Sequence, residues 1–289
     1  MNVITAKSAG FCFGVKRAID LVLKEIEENN GNTPIYTYGP IIHNENVVND
    51  LKEKGVSVIE EGDDLSSYSP GTVIIRSHGV SKQVYESIDA AGHKIVDATC
   101  PFVKKIHNLV SEHSKNNEEI IVIGDPLHPE VKGIIGYIEN NGFSVINSKE
   151  EAEEYTNISG KKTVIVSQTT YNLNKFQELV EIISEKGYDI EAVGTICNAT
   201  EERQTEAAQI ASQADVMLVI GSKSSSNSRK LEQICREKCN QTFFIQTAKD
   251  LNLVFDSLLP SIKTIGITAG ASTPNNIIKE VQNNVSRKF

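Results

Sequence analysis

Three cysteines stand where they could do chemistry. Cys12, Cys100 and Cys197 lie 88 and 97 positions apart, and each opens a segment with helical spacing: Phe11-Cys12-Phe13-Gly14-Val15, Thr99-Cys100-Pro101-Phe102-Val103 and Ile196-Cys197-Asn198-Ala199-Thr200. A thiol at a helix N-terminus meets free amides and the positive end of the helix dipole, which favour the thiolate. Thiolate is the form that binds a soft metal. One such cysteine alone is ordinarily a small buried hydrophobe; three at equivalent positions point to a shared metal centre. Zinc on three thiolates is possible, but it normally shows local C-x2-C spacing. One cysteine per long segment suits a larger object at a junction, and a cubane iron–sulfur cluster fits. Three protein ligands would leave one of its irons open to a ligand, as catalytic zinc sites keep a position open. Cys235 and Cys239, at i and i+4 on a helix expected from about Lys230, have no counterparts and read as core or surface thiols.

The elements that would position these cysteines recur with them. After each cysteine, at 27, 24 and 24 positions, comes a glycine closing a strand-like run: Gly39, Gly124 and Gly221. Four residues further stand His43, His128 and Ser225, and six further stand Glu45, Glu130 and Asn227. A second strand follows in each copy (Val56–Ile59, Phe143–Ile146, Thr242–Ile245), then a third from Thr72, Thr163 and Thr264. Polar loops come next, Arg76-Ser77-His78-Gly79, Ser167-Gln168-Thr169-Thr170 and Ala269-Gly270-Ala271-Ser272, each leading into a helix near Ser81, Asn174 and Pro274. The chain is thus a threefold internal repeat. Strands alternating with helices predict an α/β fold with mainly parallel sheets. Ligands of such sheets bind beyond the carboxyl ends of the strands, where all these polar loops fall. Three similar α/β units, 1–92, 93–187 and 188–289, are expected to close as a pseudo-threefold trefoil around a central cluster.

The strand-end groups suit an anion. His43, His78 and His128 can each donate an N–H to a phosphate oxygen. Ser225-Ser226-Asn227 heads a helix, where free amides hold phosphate; the plain alternative is a helix cap. Ser272 follows Gly270, which lets backbone approach a ligand. Glu130 is the acid candidate: a carboxyl enclosed beside an anion has a raised pKa and can carry a proton near neutrality. Its alternative is a surface carboxylate. Thr169 could relay a proton or simply close a turn. His93, His107 and His113 read as structural, and the charge run Lys149–Glu154 as a solvated helix face.

Bulk properties narrow the classes. The 289 residues carry a net charge of −9, with 39% hydrophobic and 23% charged residues. That argues against a broad face for nucleic acid or membrane. No apolar run reaches membrane-spanning length, the N-terminus lacks a signal-peptide core, and five scattered cysteines do not make a disulfide framework. The cytoplasm is the expected location. A non-redox dehydratase using an open iron as Lewis acid, or an electron carrier, would share the cysteines; a carrier has no need of a converging anion site.

These residues together resemble the 4-hydroxy-3-methylbut-2-enyl diphosphate reductase family. The matching pieces run almost the length of the chain: Gly10-Phe11-Cys12-Phe13-Gly14-Val15, Gly39-Pro40-Ile41-Ile42-His43-Asn44, Ser77-His78-Gly79-Val80, Ala98-Thr99-Cys100-Pro101, His128-Pro129-Glu130-Val131, Ser167-Gln168-Thr169-Thr170, Thr195-Ile196-Cys197, Gly221-Ser222-Lys223, Ser225-Ser226-Asn227-Ser228 and Thr268-Ala269-Gly270-Ala271-Ser272. The resemblance implies a 4Fe–4S cluster on Cys12, Cys100 and Cys197. It implies a diphosphate held by His43, His78, His128, Ser225, Ser226, Asn227 and Ser272, with Glu130 supplying protons and Thr169 contacting the substrate hydroxyl. The implied reaction removes that hydroxyl reductively, giving isopentenyl and dimethylallyl diphosphate as the last step of the non-mevalonate isoprenoid pathway. Electrons would come from ferredoxin or flavodoxin. Apart from the resemblance, three units that already close on one another lead to the expectation of a monomer. One departure, Asp125-Pro126-Leu127 before His128, puts the shape of that loop in question.

Overall fold

The computed structural model describes residues 2–29, 31–139, 142–252, 254 and 262–288. It contains three four-stranded sheets, every strand pair parallel. In the first, β2 (Ile35–Tyr38) and β4 (Thr72–Ile75) lie at the centre, with β3 (Val56–Ile59) and β5 (Lys94–Asp97) outside them. The second repeats this order with β6 (Glu119–Ile123) and β8 (Thr163–Ser167) central and β7 (Phe143–Ile146) and β9 (Ile190–Ala192) outside. The third has β10 (Val216–Ile220) and β12 (Thr264–Ala269) central, with β11 (Thr242–Ile245) on one side and β1 (Asn2–Thr5) on the other. The central strands are almost wholly buried, and β4, β6, β8 and β10 are rich in Val and Ile, as a parallel sheet covered on both faces requires.

The α/β class and the threefold repeat hold. The strand membership differs from the ranges 1–92, 93–187 and 188–289. The strand just before each cysteine pairs with a neighbouring repeat's sheet: β5 with β4, β9 with β8, and β1 with β12. Each cysteine therefore marks where the chain leaves one sheet for the helix that leads to the next. Local periodicity shows that a strand exists but not which edge it joins.

By packing, the chain divides into two compact units. One comprises residues 1–15, 43–47 and 197–289 and holds the third sheet; the other comprises 16–42 and 48–196 and holds the first two. In the first unit one cluster built on Val216, Leu218, Ile265 and Ile267 packs under α10 (Asn275–Lys288). A second cluster, around Met217, Val219 and Ala207, packs under α8 (Asn198–Ala211) and α9 (Ser226–Lys238). In the other unit, Ile106, Val110, Ile120, Val164 and Val166 join α4 (Pro101–Lys115) to the sheet, and Tyr36, Ile59, Val73 and Ile88 pack α3 (Lys82–Ala90).

In every sheet the chain runs from the first central strand outward, then returns to the other side of it. The strand order reverses between β2 and β4, between β6 and β8, and between β10 and β12. The crevice beyond the carboxyl ends at such a reversal is where open α/β sheets bind ligands.

Candidate functional site

In the unit of residues 16–42 and 48–196, the loop after β6 turns into α5 (Pro129–Ile135), with His128 as N-cap and Pro129 at the first helical position. The departing segment Asp125-Pro126-Leu127 forms a tight turn: the Asp125 carboxylate accepts from Leu127 N at 2.9 Å, and Asp125 O from His128 N at 3.0 Å. Leu127 points outward, so the unusual sequence delivers His128 and Glu130 to their places. Gln168, only 1% exposed, receives Asp125 N at 3.3 Å and fastens this turn to the end of β8.

Glu130 is 1% exposed, which excludes the surface reading. Its Oε1 accepts from Thr169 N at 2.6 Å and its Oε2 from Thr169 Oγ1 at 2.9 Å. Burial raises its pKa from 4.5 to about 7, against the opposing pull of the two Thr169 hydrogen bonds. The carboxyl is thus poised to hold and release a proton near neutrality. Glu130 N donates to His128 Nδ1 at 3.1 Å, which makes that nitrogen an acceptor and places the neutral ring's proton on Nε2. His78 lies edge-on to His128, ring centroids 5.4 Å apart. Cys100 is the N-cap of α4 and makes no side-chain cap bond, and its N donates to Ser77 O at 2.9 Å, beside His78. His107 stacks on Tyr137 at 4.1 Å, and burial lowers its pKa to about 4, so it is a neutral packing residue as expected.

In the unit of residues 1–15, 43–47 and 197–289, Ser225 caps α9, its hydroxyl accepting from Ser228 N at 3.3 Å and from Ser228 Oγ at 3.0 Å. The helix begins at Ser226 rather than near Lys230, because this cap starts it a turn earlier. A Cβ on Gly221 or Gly270 would come within 2.3 and 2.0 Å of Ser228 Oγ, so only glycines let the helix end sit directly on the tips of β10 and β12. Ser226 and Asn227 form its first turn. Asn227 is 4% exposed, and neither its Oδ1 nor its Nδ2 has a partner among the described residues. A buried side-chain amide without partners costs stability unless a ligand completes it. His43 Nδ1 donates to Ser224 O at 2.7 Å, Ser272 Oγ donates to His43 O at 3.1 Å, and Asn44 Nδ2 donates to Ser272 O at 2.8 Å. These bonds join the three loops carrying His43, Ser225 and Ser272.

Two of the cysteines belong to this unit. Cys12 N donates to Ala271 O at 3.3 Å, next to Ser272. Cys197 caps α8 without a side-chain cap bond, and its Sγ lies 3.1 Å from Thr200 Oγ1. Arg203, one turn further along α8, is 3% exposed. It donates to Gly10 O at 2.7 Å and to Ala199 O at 2.9 Å, and its buried Nε has no partner among the described residues. Burial works against its charge, while Cys12 and Cys197 are the neighbours that most favour it. Glu206, on the same helix face, accepts from Lys7 N and Ser8 N at 2.8 and 2.9 Å. Arg203 and Glu206 thus hold the segment before Cys12 against the helix of Cys197. Thr200 and Arg203 escaped the sequence reading; the only local signal was their spacing of three and six after Cys197, which places Thr200 and Arg203 on one helix face.

The donors fit an iron–sulfur group. Three half-buried thiols outside any disulfide stand at helix starts, two with no cap bond to make, and two share a buried cation that offsets thiolate charge. Cys235 and Cys239 differ. Cys235 is fully buried among Ala207, Met217 and Leu231, and burial pushes its thiol up to about 12; Cys239 packs in the same cluster.

The family model described as LytB protein matches residues 3–286. The 4-hydroxy-3-methylbut-2-enyl diphosphate reductase of Caldanaerobacter subterraneus subsp. tengcongensis is 44% identical over 97% of this chain and 95% of its own length. That of Clostridioides difficile is 45% identical over 97% of this chain and 98% of its own. The solved E-1-hydroxy-2-methyl-but-2-enyl-4-diphosphate reductase of Plasmodium falciparum aligns with a TM-score of 0.89 at 30% identity, covering 99% of this chain and 87% of that one. A solved (E)-4-hydroxy-3-methyl-but-2-enyl diphosphate reductase, the terminal enzyme of the non-mevalonate pathway, aligns at 0.68 with 37% identity, covering 99% and 100%. With nearly its whole length matched and relatives at 44% and 45% identity, the chain belongs to the LytB protein family.

Proposed function

We propose that the chain reduces 4-hydroxy-3-methylbut-2-enyl diphosphate to isopentenyl and dimethylallyl diphosphate, with two electrons and two protons consumed and one water released. Cys12, Cys100 and Cys197 hold one 4Fe–4S cluster. When bound, the cluster supplies electrons one at a time and an open Lewis-acidic iron for the substrate hydroxyl. The observation that carries the reading is the buried Glu130–Thr169 pair beside His128. A reductive dehydroxylation needs a proton source sealed from water and next to an anion site, and this pair supplies one.

The side chains divide the work. His128, through the Nε2 proton that its bond to Glu130 N imposes, His78, and the α9 start with Ser225, Ser226 and Asn227 bind the diphosphate. Asn227 gains the partners its buried amide lacks. His43 gives its Nδ1 proton to Ser224 O, so it donates to a phosphate oxygen from Nε2 only as imidazolium; Ser272 secures that loop. Anchoring the diphosphate away from the reacting carbon orients the hydroxyl. Protonated Glu130 donates to Thr169 Oγ1, which turns the Thr169 hydroxyl proton toward the substrate oxygen, so one proton passes outward in two short steps.

Ferredoxin or flavodoxin is the proposed electron donor. Among the described residues no helix is long and apolar enough to cross a membrane. The proposed working form is a cytoplasmic monomer, since one chain carries the complete set of cysteines and anion-binding groups.

The reading is tested by anaerobic reconstitution with iron and sulfide, followed by substrate-dependent oxidation of reduced methyl viologen and identification of products by mass. Full cluster loading without viologen oxidation would overturn it; turnover without any reductant would point instead to a dehydratase.

Arg203 is a positioning residue for the thiolates. Its replacement by Met removes a buried positive charge and both carbonyl clamps. The expected result is a midpoint potential lowered by tens of millivolts, where about 59 mV is a tenfold change in a one-electron equilibrium, together with faster cluster loss. Arg203→Lys should recover much of the potential but less of the retention, because one ammonium cannot span both carbonyls. Redox titration and iron counting read the two effects separately.

A further inference from the structure

The chain as a whole is acidic, yet two of its three cysteine segments are locally basic. Four and five positions past the cysteine stand Lys16 and Arg17 in the first repeat and Lys104 and Lys105 in the second; the third has Glu201 and Glu202 there. Lys16, Arg17 and the whole stretch 97–105 lie in one compact unit. Arg17 donates to Thr99 O at 3.1 Å and to Asp97 O at 3.3 Å, which brings the α1 helix (Phe13–Asn29) at Lys16 and Arg17 against the segment that ends in Cys100. Lys104 closes on Asp97 at 2.6 Å and offsets that carboxylate. Asp20, one turn along α1, is the nearby exposed acid on that helix, and Lys16 and Lys105 are both exposed. The balance of the patch is positive.

At its centre Pro101 is exposed, and Phe102, two residues past Cys100, is 45% exposed. The same helix buries Val103, Ile106 and Val110 on its other face, so Phe102 is not required by the core. An exposed aromatic with Lys105 on its own helix, and Lys16 and Arg17 on the helix fastened to the segment just before it, is the composition of a protein interface rather than of inert surface.

We propose that this patch, Lys16, Arg17, Phe102 and Lys105 around the start of α4, is the docking surface for a small acidic one-electron redox protein. The inference rests on the reductase reading above, which requires electrons to reach a group held in part by Cys100. Charge complementarity selects the partner: the lysines steer an acidic surface toward the patch, and Phe102 supplies the desolvated contact. The third cysteine segment lacks this character, because Glu201 and Glu202 would repel the same partner from the Cys197 helix.

The test uses the reconstituted holoenzyme and two reductants, a reduced ferredoxin of acidic pI and reduced methyl viologen. Lys16→Glu with Lys105→Glu, and separately Phe102→Ala, should lower kcat/KM for the ferredoxin about tenfold. In the charge-reversed variant the fall of that rate with ionic strength should flatten. Viologen-driven turnover and iron content should stay within twofold of the parent. Ferredoxin-driven rates equal to the parent's would overturn the proposal, and so would an equal loss with both reductants, which would assign the patch to fold or cluster retention. Absence of viologen-driven turnover in the parent holoenzyme would instead refute the reductase reading itself.

Discussion

Glu130→Gln should bind 4-hydroxy-3-methylbut-2-enyl diphosphate about as tightly as the parent while losing about 10³-fold in turnover. The geometry explains the split. In the parent, Thr169 N donates to Oε1 and Thr169 Oγ1 to Oε2. A glutamine keeps the acceptor for Thr169 N and offers an N–H to Thr169 Oγ1, so it copies the protonated carboxyl in shape and bonding. It cannot give the proton up. Because burial raises the Glu130 pKa to about 7, the acid form prevails below that value, and parent turnover should fall as pH rises through about 7. Residual turnover in the variant should lack that limb. Stability should respond too. Between 4.5 and about 7 the folded chain keeps a proton that the unfolded chain releases, so this carboxyl's effect is a loss of stability as pH rises through that window, absent in the glutamine variant. Parent-like rates in Glu130→Gln, or an unchanged pH limb, would remove Glu130 from the acid role.

Cys100→Ser should abolish cluster binding without weakening the apo fold. Cys100 is the N-cap of α4 yet contributes no side-chain cap bond, and Pro101 already sets the helix start. Serine is a good N-cap, so the apo chain should be unchanged or more stable by ~0.5–1 kcal/mol in thermal melts. Iron counting and the visible absorbance of the anaerobically reconstituted chain should nonetheless show loss of the cluster, and with it all reductase turnover. Cys197→Ser should behave alike at the metal, although it also alters the 3.1 Å contact with Thr200. Cys235→Ala is the control: its thiol is buried and pushed up to about 12, so iron content should not change. Retention of a full cluster in Cys100→Ser would remove Cys100 from the proposed ligand set.

Much of this was written locally. Strand alternation, helix spacing and caps depend on residues a few positions apart. That is why β3, β7 and β11 fall at Val56–Ile59, Phe143–Ile146 and Thr242–Ile245, as read from the chain alone. The cysteines at helix starts were legible for the same reason, and so was the placement of every polar loop at a strand's carboxyl end.

Sequence by itself therefore determined the threefold repeat, the α/β class, the list of groups able to bind metal and anion, and the family. Tertiary structure alone decided which sheet receives β1, β5 and β9, whether Glu130 is a surface carboxylate or a sealed acid, and that Asn227 is buried with its amide unmatched among the described residues. It also decided that Arg203 reaches Gly10, 193 positions away, to fasten the segment before Cys12 to the helix of Cys197. The physical reason is common to all of these. Desolvation, and hydrogen bonds between distant segments, depend on what packs around a group, and that is a property of the folded chain rather than of its local pattern.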